Sequence, residues 1–378
     1  MGEQALAARP LVGIIANPIS ARDIRRVIAN ANTLQLADRV NIVLRLLAAL
    51  SACGVGRVLM MPDREGMRVL LARHLSRRQG PDAALPAVEY LDMPVTARVD
   101  DTFLAARMMR EAGVAAIIVL GGDGTHRAVV RECGTVPIAG LSTGTNNAYP
   151  EMREPTITGL ATGLFASGRI PAAHALAGNK RLDIAIAGEG GVRHDIALVD
   201  AVISHEHFIG ARALWKTETL GAVFVSFADP QAIGLSAIGG LLEPVGRHEP
   251  GGLAIELAAP GEGRFALRAP IAPGLLRAVP IAGWERLTDG VPHRVRQRAG
   301  IVALDGEREL VFGPQDTVTV TLRERAFLSI DVAACMRYAA AAGLMRSGRA
   351  PPPPPSQPQQ QHPPPQPLTE FSTATTKP

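Results

Sequence analysis

The sequence contains few cysteines and no recognisable metal-ligand pattern, and both shortages narrow the classes of protein to consider. Its three cysteines, Cys53, Cys133 and Cys335, lie far apart and include no CxxC pair. This spacing argues against a disulfide framework or a cysteine metal site, and it is typical of reduced, mostly buried thiols in a cytoplasmic protein. The nine histidines likewise follow no spacing typical of metal binding.

Aromatic residues, lysine and long apolar runs are also scarce. Aromatics make up 4% of the chain, and lysine occurs only at Lys180, Lys216 and Lys377. The net charge of +4 is therefore carried almost entirely by arginines, which are scattered among acidic residues. Without a basic stripe or interleaved aromatics, nucleic-acid binding is not expected, whereas an anionic small-molecule substrate is compatible with the charge.

Neither a membrane span nor a secretion signal is indicated. No apolar run approaches the roughly 18 residues that a membrane-spanning helix needs. The N-terminal residues MGEQALAARP lack the charged, apolar and cleavable regions of a signal peptide. We therefore expect a cytoplasmic protein.

Strands and helices alternate over the first 150 residues. Apolar runs predict strands over 11–17, 57–63, 87–95, 115–120 and 136–141, and helical spacing predicts helices over 33–52, 65–78, 101–112 and 125–132. This alternation favours a parallel sheet covered by helices on both faces. After residue 150, one helix over 156–167 precedes short strand-like runs punctuated by Gly and Pro, which is typical of an antiparallel β-rich domain.

Four segments are therefore predicted. An α/β nucleotide-binding domain spans 10–150 and a β-rich substrate domain spans 151–330, with a cleft between them. A C-terminal helix in 331–346 packs back on the first domain. The Pro/Gln-rich tail, 347–378, cannot bury a core, so we expect polyproline II followed by disorder, although a proline-rich partner motif is an alternative.

Three polar loops follow predicted strands of the first domain: NPIS, GGDGT and STGTNN. In doubly wound sheets, ligands bind beyond the carboxyl ends of the strands. In the GGDGT loop, Gly121, Gly122 and Gly124 can adopt positive φ and let backbone N–H groups approach a polyphosphate. Thr125 can cap the following helix, whose N-terminus favours anions.

Phosphate binding alone does not explain Asp123, because a carboxylate repels phosphate. A carboxylate at position 123 is explained if it binds Mg²⁺ or takes a proton from an attacking hydroxyl. Phosphoryl transfer from ATP needs both a bound metal ion and a proton acceptor. The alternative is that Asp123 only closes an Asx-turn in a tight loop.

Four short motifs, in order, resemble those of the superfamily that contains NAD kinases and diacylglycerol-type lipid kinases. They are Asn17-Pro18-Ile19-Ser20 (with Ala21 where glycine is usual), GGDGT, Thr143-Gly144-Thr145-Asn146-Asn147, and Leu304-Asp305-Gly306-Glu307. That superfamily lacks a Walker loop, and the chain contains no GxxxxGK[ST]. Longer stretches, among them GGDGTHRAV, LSTGTNNAYP, FIGARALW and ALDGERE, resemble the ATP-NAD kinase/AcoX-like subgroup, which is associated with acetoin catabolism.

The resemblance implies an NAD kinase-like fold, ATP and Mg²⁺ as cofactors, and a possible homo-oligomer. Asp123 would be the general base or a metal-organising carboxylate, and Asp305 and Glu307 would lie near the phosphates as a Mg²⁺ ligand (Asp305) or catalytic base. The nucleotide would be bound by Asn17, Ser20, Gly121, Gly122, Gly124, Thr125, Thr143, Gly144, Thr145, Asn146 and Asn147.

The resemblance also has departures that bear on the acceptor. NAD kinases carry an Asn-Glu pair that holds the dinucleotide, and Asp200 stands at the corresponding position here. Asp305-Gly306-Glu307 is closer to the lipid-kinase form. Arg127 and Arg131, on the helix after GGDGT, could neutralise phosphate or lie on an exposed helix face.

The expected function is an ATP-dependent small-molecule kinase, either NAD kinase-like, converting NAD to NADP at the 2′-hydroxyl, or an acetoin-catabolism-associated AcoX-like protein. The alternatives are a lipid-like or polyol kinase of the same superfamily and a non-catalytic nucleotide-binding regulator.

Overall fold

A computed structural model describes residues 10–16, 35–77, 85–143, 147–206 and 217–346, apart from the side chains of residues 307–309. Two sheets, eight α-helices and one 3-10 turn (Thr217–Thr219) account for the regular structure of these residues. No helix within these ranges is both long and apolar enough to cross a membrane.

Five parallel strands begin the first sheet. They are β1 (Leu11–Ala16), β2 (Arg57–Met60), β3 (Ala87–Tyr90), β4 (Ile117–Gly121) and β5 (Ile138–Ser142), in the spatial order β3-β2-β1-β4-β5. The central strands are apolar along almost their whole length because helices cover both faces of the sheet. The register places Gly121 beside Ser142, so the loops that follow β4 and β5 leave the sheet side by side.

Helices bury an apolar stripe against each face of this sheet. They are α1 (Leu36–Ala52), α2 (Met67–Ser76), α3 (Val99–Glu111), α4 (Asp123–Glu132), α5 (Pro155–Ala166) and the short α6 (Ala172–Ala175). Residues of α1, α2 and α5 share one core cluster with β1 and β4, and residues of α3 and α4 share another with the opposite face. Gly159 lets α5 approach α1 closely, because a Cβ at this position would lie 2.7 Å from Cβ of Ala49.

Strands from the second half of the chain complete the first sheet. β16 (Thr317–Ile330) follows β5 in the sheet and pairs along its length with the antiparallel β6 (Leu176–Gly188), which in turn pairs with β7 (Gly191–Ala197). The short β13 (Pro292–Arg294) pairs with the other edge of β16. The last helix, α8 (Val332–Ala341), begins at Asp331, whose carboxylate accepts the backbone N–H of Ala334, and it joins the core cluster of α1 and α5.

The second sheet is antiparallel and has seven strands. Its strands are β8 (Asp200–Ser204), β9 (Leu220–Val225), β10 (Gly252–Leu257), β11 (Phe265–Ala272), β12 (Leu275–Leu287), β14 (Gly300–Leu304) and β15 (Glu307–Phe312), in the order β11-β12-β10-β9-β8-β14-β15. A further helix, α7 (Ser236–Leu242), packs on β9 and β11. Apolar residues of β8 and β14 pack against those of β6 and β16, so the two sheets share a core.

The predicted fold class is confirmed: a parallel α/β sheet with helices on both faces precedes an antiparallel β-rich part. Some boundaries in the first half differ from the prediction: the strand predicted over 87–95 ends at Tyr90, and α3 and α4 each begin two residues early. Helix α4 begins at Asp123 because Gly122 is already extended (φ −96°, ψ −172°) and serves as the N-cap. Thr125 therefore lies inside the helix and does not cap it.

Candidate functional site

The GGDGT loop is a close-packed bend between β4 and α4. None of Gly121, Gly122 and Gly124 has the positive φ that the sequence suggests, and Gly121 and Gly122 instead matter because there is no room for a side chain at either position. A Cβ at Gly122 would lie 2.7 Å from Oδ1 of Asn147, and a Cβ at Gly121 would lie 2.5 Å from Cβ of Thr125. Gly122 thus lets the bend approach Asn147 of the loop after β5, and Gly121 lets it fold against Thr125 in the first turn of α4.

The Asp123 carboxylate joins these two loops. Its Oδ2 accepts the backbone N–H of Ala148 at 3.0 Å, and its Oδ1 accepts that of Tyr149 at 2.8 Å. These partners are 25 and 26 residues away in the sequence, so the carboxylate makes long-range contacts beyond any local turn. Asp123 remains partly exposed and lines a pocket.

Asp305 approaches the same pocket from the turn between β14 and β15. It has a left-handed backbone (φ 50°), which aspartate tolerates better than most residues. Its carboxylate accepts backbone N–H groups of Leu198 (3.0 Å), Val199 (2.8 Å) and Asp200 (3.3 Å). The side chain is fully buried, so it holds the 198–200 segment in place from inside the protein.

Charge around Asp305 is only partly balanced. Burial raises the pKa of Asp305 to about 6; Arg127 opposes this rise and Asp123 adds to it. The Arg127 Nε lies 3.6 Å from Oδ2 of Asp305, and its Nη1 lies 3.8 Å from Oδ1 of Asp195. Arg127 is thus buried between two carboxylates rather than exposed on a helix face. Arg131, which is 42% exposed, pairs with Asp195 at 3.3 Å.

One pocket is lined by residues from both halves of the chain. The loops of the first sheet contribute Asp123 and Ala148, and the second half contributes Asp200 and Asp305. Apolar side chains near α7 and in β11 form another part of the wall: Ile233, Leu235 and Ile271. The structure therefore places carboxyl groups from distant parts of the sequence around one space with a partly apolar wall.

His126 and Arg247 hold this arrangement, and sequence reasoning did not assign either role. His126 is fully buried, its Nδ1 lies 2.8 Å from the carbonyl oxygen of Gly122, and burial lowers its pKa to about 4, so the ring is neutral. Arg247 donates to the carbonyl oxygens of Tyr149 and Ala148, both at 2.8 Å. Arg247 lies in the polar stretch GRHEPG, which resembles an ordinary surface turn, so no sequence signal marks it.

The other predicted nucleotide-binding residues are described only in part. Thr143 is buried, and its N–H donates to the carbonyl of Gly121 at 3.3 Å, while Asn147 donates from Nδ2 to Oγ of Ser142 at 2.8 Å. Gly124 lies in the first turn of α4. Outside the described residues lie Asn17, Ser20, Gly144, Thr145 and Asn146, and also the side chain of Glu307.

The donor set bears on where a metal could bind. Within the described ranges, no group of three or more His, Cys, Asp or Glu residues could hold a metal ion by itself. Mg²⁺, however, commonly uses one or two carboxylates together with substrate phosphates. Asp123 and Asp200 fit such a role because both line the pocket. Asp305 does not fit its predicted role as a Mg²⁺ ligand, because N–H groups and Arg127 surround its buried carboxylate.

Two family models match the chain. The ATP-NAD kinase N-terminal domain matches residues 12–170, and the acetoin catabolism protein X C-terminal domain matches residues 180–325. The chain is 82% identical over 339 residues to acetoin catabolism protein X of Cupriavidus necator, covering 89% of this chain and 94% of that protein. It is 30% identical over 189 residues to the NAD kinase of Methanosarcina barkeri, covering 47% of this chain and 62% of that protein.

Among solved structures, yeast NADH kinase complexed with NADH has a similar fold, with a TM-score of 0.50 and 14% identity over 90% of this chain and 89% of that chain. This level of identity supports a shared fold alone. Together with the near-complete match to the Cupriavidus protein, the two domain matches establish that the chain belongs to the acetoin catabolism protein X family and has an NAD kinase-like fold.

Proposed function

We propose that the protein is a phosphotransferase that transfers the γ-phosphate of Mg-ATP to an alcohol hydroxyl. The observation that carries this proposal is the shared pocket, in which Asp123 of the glycine-rich bend meets Asp200 and Asp305 of the second half. The match of residues 12–170 to an ATP-NAD kinase domain supports the same conclusion.

Asp123 is our candidate for orienting the acceptor hydroxyl and receiving its proton. An ionised carboxylate has about four lone-pair sites. The two backbone N–H groups fix its orientation and leave lone pairs directed elsewhere. A fixed carboxylate in a pocket supplies the geometry that general-base catalysis requires.

Asp305 has a different proposed role from the one that the sequence suggests. Asp305 belongs to the pocket lining, but its carboxylate is buried and its hydrogen bonds go to three consecutive backbone N–H groups. We assign it to positioning: it holds residues 198–200, and its own N–H donates to the carbonyl of Asp200 at 2.9 Å. Asp200 is thereby kept at the pocket wall. Glu307 remains a candidate catalytic residue by resemblance.

Mg-ATP, when bound, would supply the phosphoryl group and the positive charge that neutralises it. The residues proposed to hold the metal are Asp123 and Asp200. The bend Gly121-Gly122-Asp123-Gly124-Thr125 and the neighbouring loop from Thr143 to Asn147 would bind the nucleotide, together with Asn17 and Ser20. Support comes from the close packing of the two loops beside the N-terminus of α4, where backbone N–H groups favour anions.

NAD is the first acceptor to test, because the Methanosarcina relative is an NAD kinase. Asp200 stands where NAD kinases have an Asn-Glu pair, and a carboxylate can accept hydrogen bonds from ribose or other hydroxyls. The partly apolar wall formed by Ile233, Leu235 and Ile271 is also compatible with a lipid-like or polyol acceptor. The panel must therefore include all three classes.

The test incubates purified protein with Mg-ATP and NAD, NADH, acetoin, glycerol or dioctanoylglycerol, and measures ADP and the phosphorylated product by mass spectrometry. A phosphorylated alcohol is the expected product. Binding of ATP is measured in parallel by calorimetry. If ATP binds but every acceptor and ATP itself stay unchanged, a non-catalytic nucleotide-binding regulator replaces the kinase. If ATP does not bind, the nucleotide site itself is wrongly assigned.

A further inference from the structure

Arg247 makes an unusually complete set of contacts for a residue in a polar loop. Its Nη1 donates to the carbonyl of Tyr149 and its Nη2 to the carbonyl of Ala148, both at 2.8 Å. Its guanidinium carbon also lies 5.0 Å from the centre of the Tyr149 ring and 4.8 Å from that of Phe227. Two hydrogen bonds and two aromatic faces fix the planar group.

Arg247 donates hydrogen bonds to the same backbone segment that donates hydrogen bonds to Asp123. The peptide group between Ala148 and Tyr149 offers its carbonyl oxygen to Arg247 and its N–H to Oδ1 of Asp123. The peptide thus connects a cation on one side to a carboxylate on the other. Each charge polarises this amide in the direction that strengthens the other hydrogen bond.

The loop that carries Arg247 is itself anchored. Buried Lys180, in β6, donates from Nζ to the carbonyls of Gly246 (3.0 Å) and Gly251 (2.7 Å), at the two ends of the loop. Glu324, in β16, accepts the backbone N–H of Gly251 at 2.7 Å. The backbone of the loop that carries Arg247 is therefore held at both ends, and this fixes the position from which the guanidinium group extends.

From this chain of contacts we infer that Arg247 is a positioning residue for Asp123, acting through the backbone of residues 148 and 149. The inference rests on the proposed function only for the consequence that activity depends on it. Arg247 also couples the two halves of the molecule, since it extends from the second half to the loop after β5.

Two measurements on Arg247→Ala test the inference, one independent of activity. Hydrogen exchange of a peptide that covers residues 147–155 and starts several residues earlier reports whether the N–H groups of Ala148 and Tyr149 still donate to Asp123. Loss of protection by tenfold or more is expected in Arg247→Ala, with partial retention in Arg247→Lys. Arg296→Ala is the matched control, because Arg296 is 82% exposed, pairs with Glu256 at the surface and should leave this peptide unchanged.

Kinetics with the acceptor found above form the second measurement. A positioning residue should lower kcat by about 10- to 100-fold while KM for ATP changes less than threefold, and guanidinium chloride at millimolar concentration should partly restore kcat. A general loss of stability would not lower kcat while leaving KM for ATP nearly unchanged, and guanidinium would not restore the activity.

Unchanged exchange in folded Arg247→Ala overturns the inference, and so does unchanged kcat alongside lost protection. If the wild type transfers no phosphate at all, the proposed function fails, and the exchange result alone decides whether Arg247 holds Asp123.

Discussion

Replacing Arg127 by methionine removes the cation that lies between the carboxylates of Asp195 and the fully buried Asp305 while keeping much of its apolar volume. The Arg127 side chain is 10% exposed and lies 3.6 Å from Oδ2 of Asp305, whose side chain is 0% exposed. Removing one partner of a buried ion pair costs about 3–5 kcal/mol, because the other charge is left uncompensated. We expect the unfolding free energy of Arg127→Met to be lower than that of the wild type by this amount at pH 8.

The loss should depend on pH because Asp305 can take up a proton. Burial raises the pKa of Asp305 to about 6, above its ordinary value of 3.8. A carboxyl group whose pKa is raised on folding contributes stability that is complete below about pH 4 and is lost as the pH rises through 6. The difference of about two pKa units corresponds to about 3 kcal/mol.

Without Arg127, the pKa of Asp305 should rise further, since this guanidinium opposes the effect of burial. The unfolding free energy of the wild type levels off above pH 6. That of the variant continues to fall by about 1.4 kcal/mol per pH unit until the pH reaches the higher pKa of Asp305 in the variant. The difference in unfolding free energy between the two proteins should therefore be small at pH 5 and increase from pH 6 to pH 8.

Urea unfolding at pH 5, 6, 7 and 8 measures this difference. Arg131→Met is the control on the same helix, because Arg131 pairs with Asp195 but is 42% exposed, and it should cost less than about 1 kcal/mol without a pH trend. Adding Asp305→Asn to Arg127→Met should abolish the trend. A difference that stays constant from pH 5 to pH 8, or an equal effect of Arg131→Met, would refute the reasoning.

Two further predictions concern packing and thiols. Gly159→Ala should lower the unfolding free energy by about 1–3 kcal/mol, because its Cβ would meet Cβ of Ala49 at 2.7 Å; Gly283→Ala, which has open space, should change it by less than about 0.5 kcal/mol in the same urea assay. All three cysteines are buried, and burial raises the pKa of Cys133 and Cys335 to about 11. Ellman's reagent should therefore react with three thiols in urea and with almost none in the native protein. Fast release of thionitrobenzoate from the native protein would contradict this expectation.

The fold of the first half could be predicted because its physical causes are local. Strands buried on both faces leave apolar runs such as Ile117 to Leu120, and the helices between them keep an apolar stripe at helical spacing. The completion of the first sheet by β16 could not be predicted in this way. It depends on pairing between residues such as Ser329 and Ile138, which are far apart in the sequence.

For the candidate site, the sequence motifs predict which residues take part, and this stays a prediction, whereas the long-range contacts of those residues could not be predicted. The glycines of GGDGT predict a phosphate site from their residue type, whereas Asp305-Gly306-Glu307 is placed near the phosphates only by its resemblance to the kinase motifs. The burial of Arg127 was not evident, because the carboxylates on either side of it come from distant parts of the chain: Asp195 from β7 and Asp305 from the turn after β14. The resemblance implied that Asp305 is a Mg²⁺ ligand, because nothing in the local sequence shows that its carboxylate accepts the backbone N–H groups of residues 198–200.

The central claim is that Asp123 is the carboxylate on which phosphoryl transfer depends, and the effect of Asp123→Asn on kcat tests it most directly. Transfer to the acceptor should fall by at least about 100-fold. The dissociation constant for Mg-ATP should stay within about tenfold, roughly 1.4 kcal/mol. Glu111→Gln, at an exposed helix position, serves as the charge-matched control. Full activity in a folded Asp123→Asn protein would contradict the account.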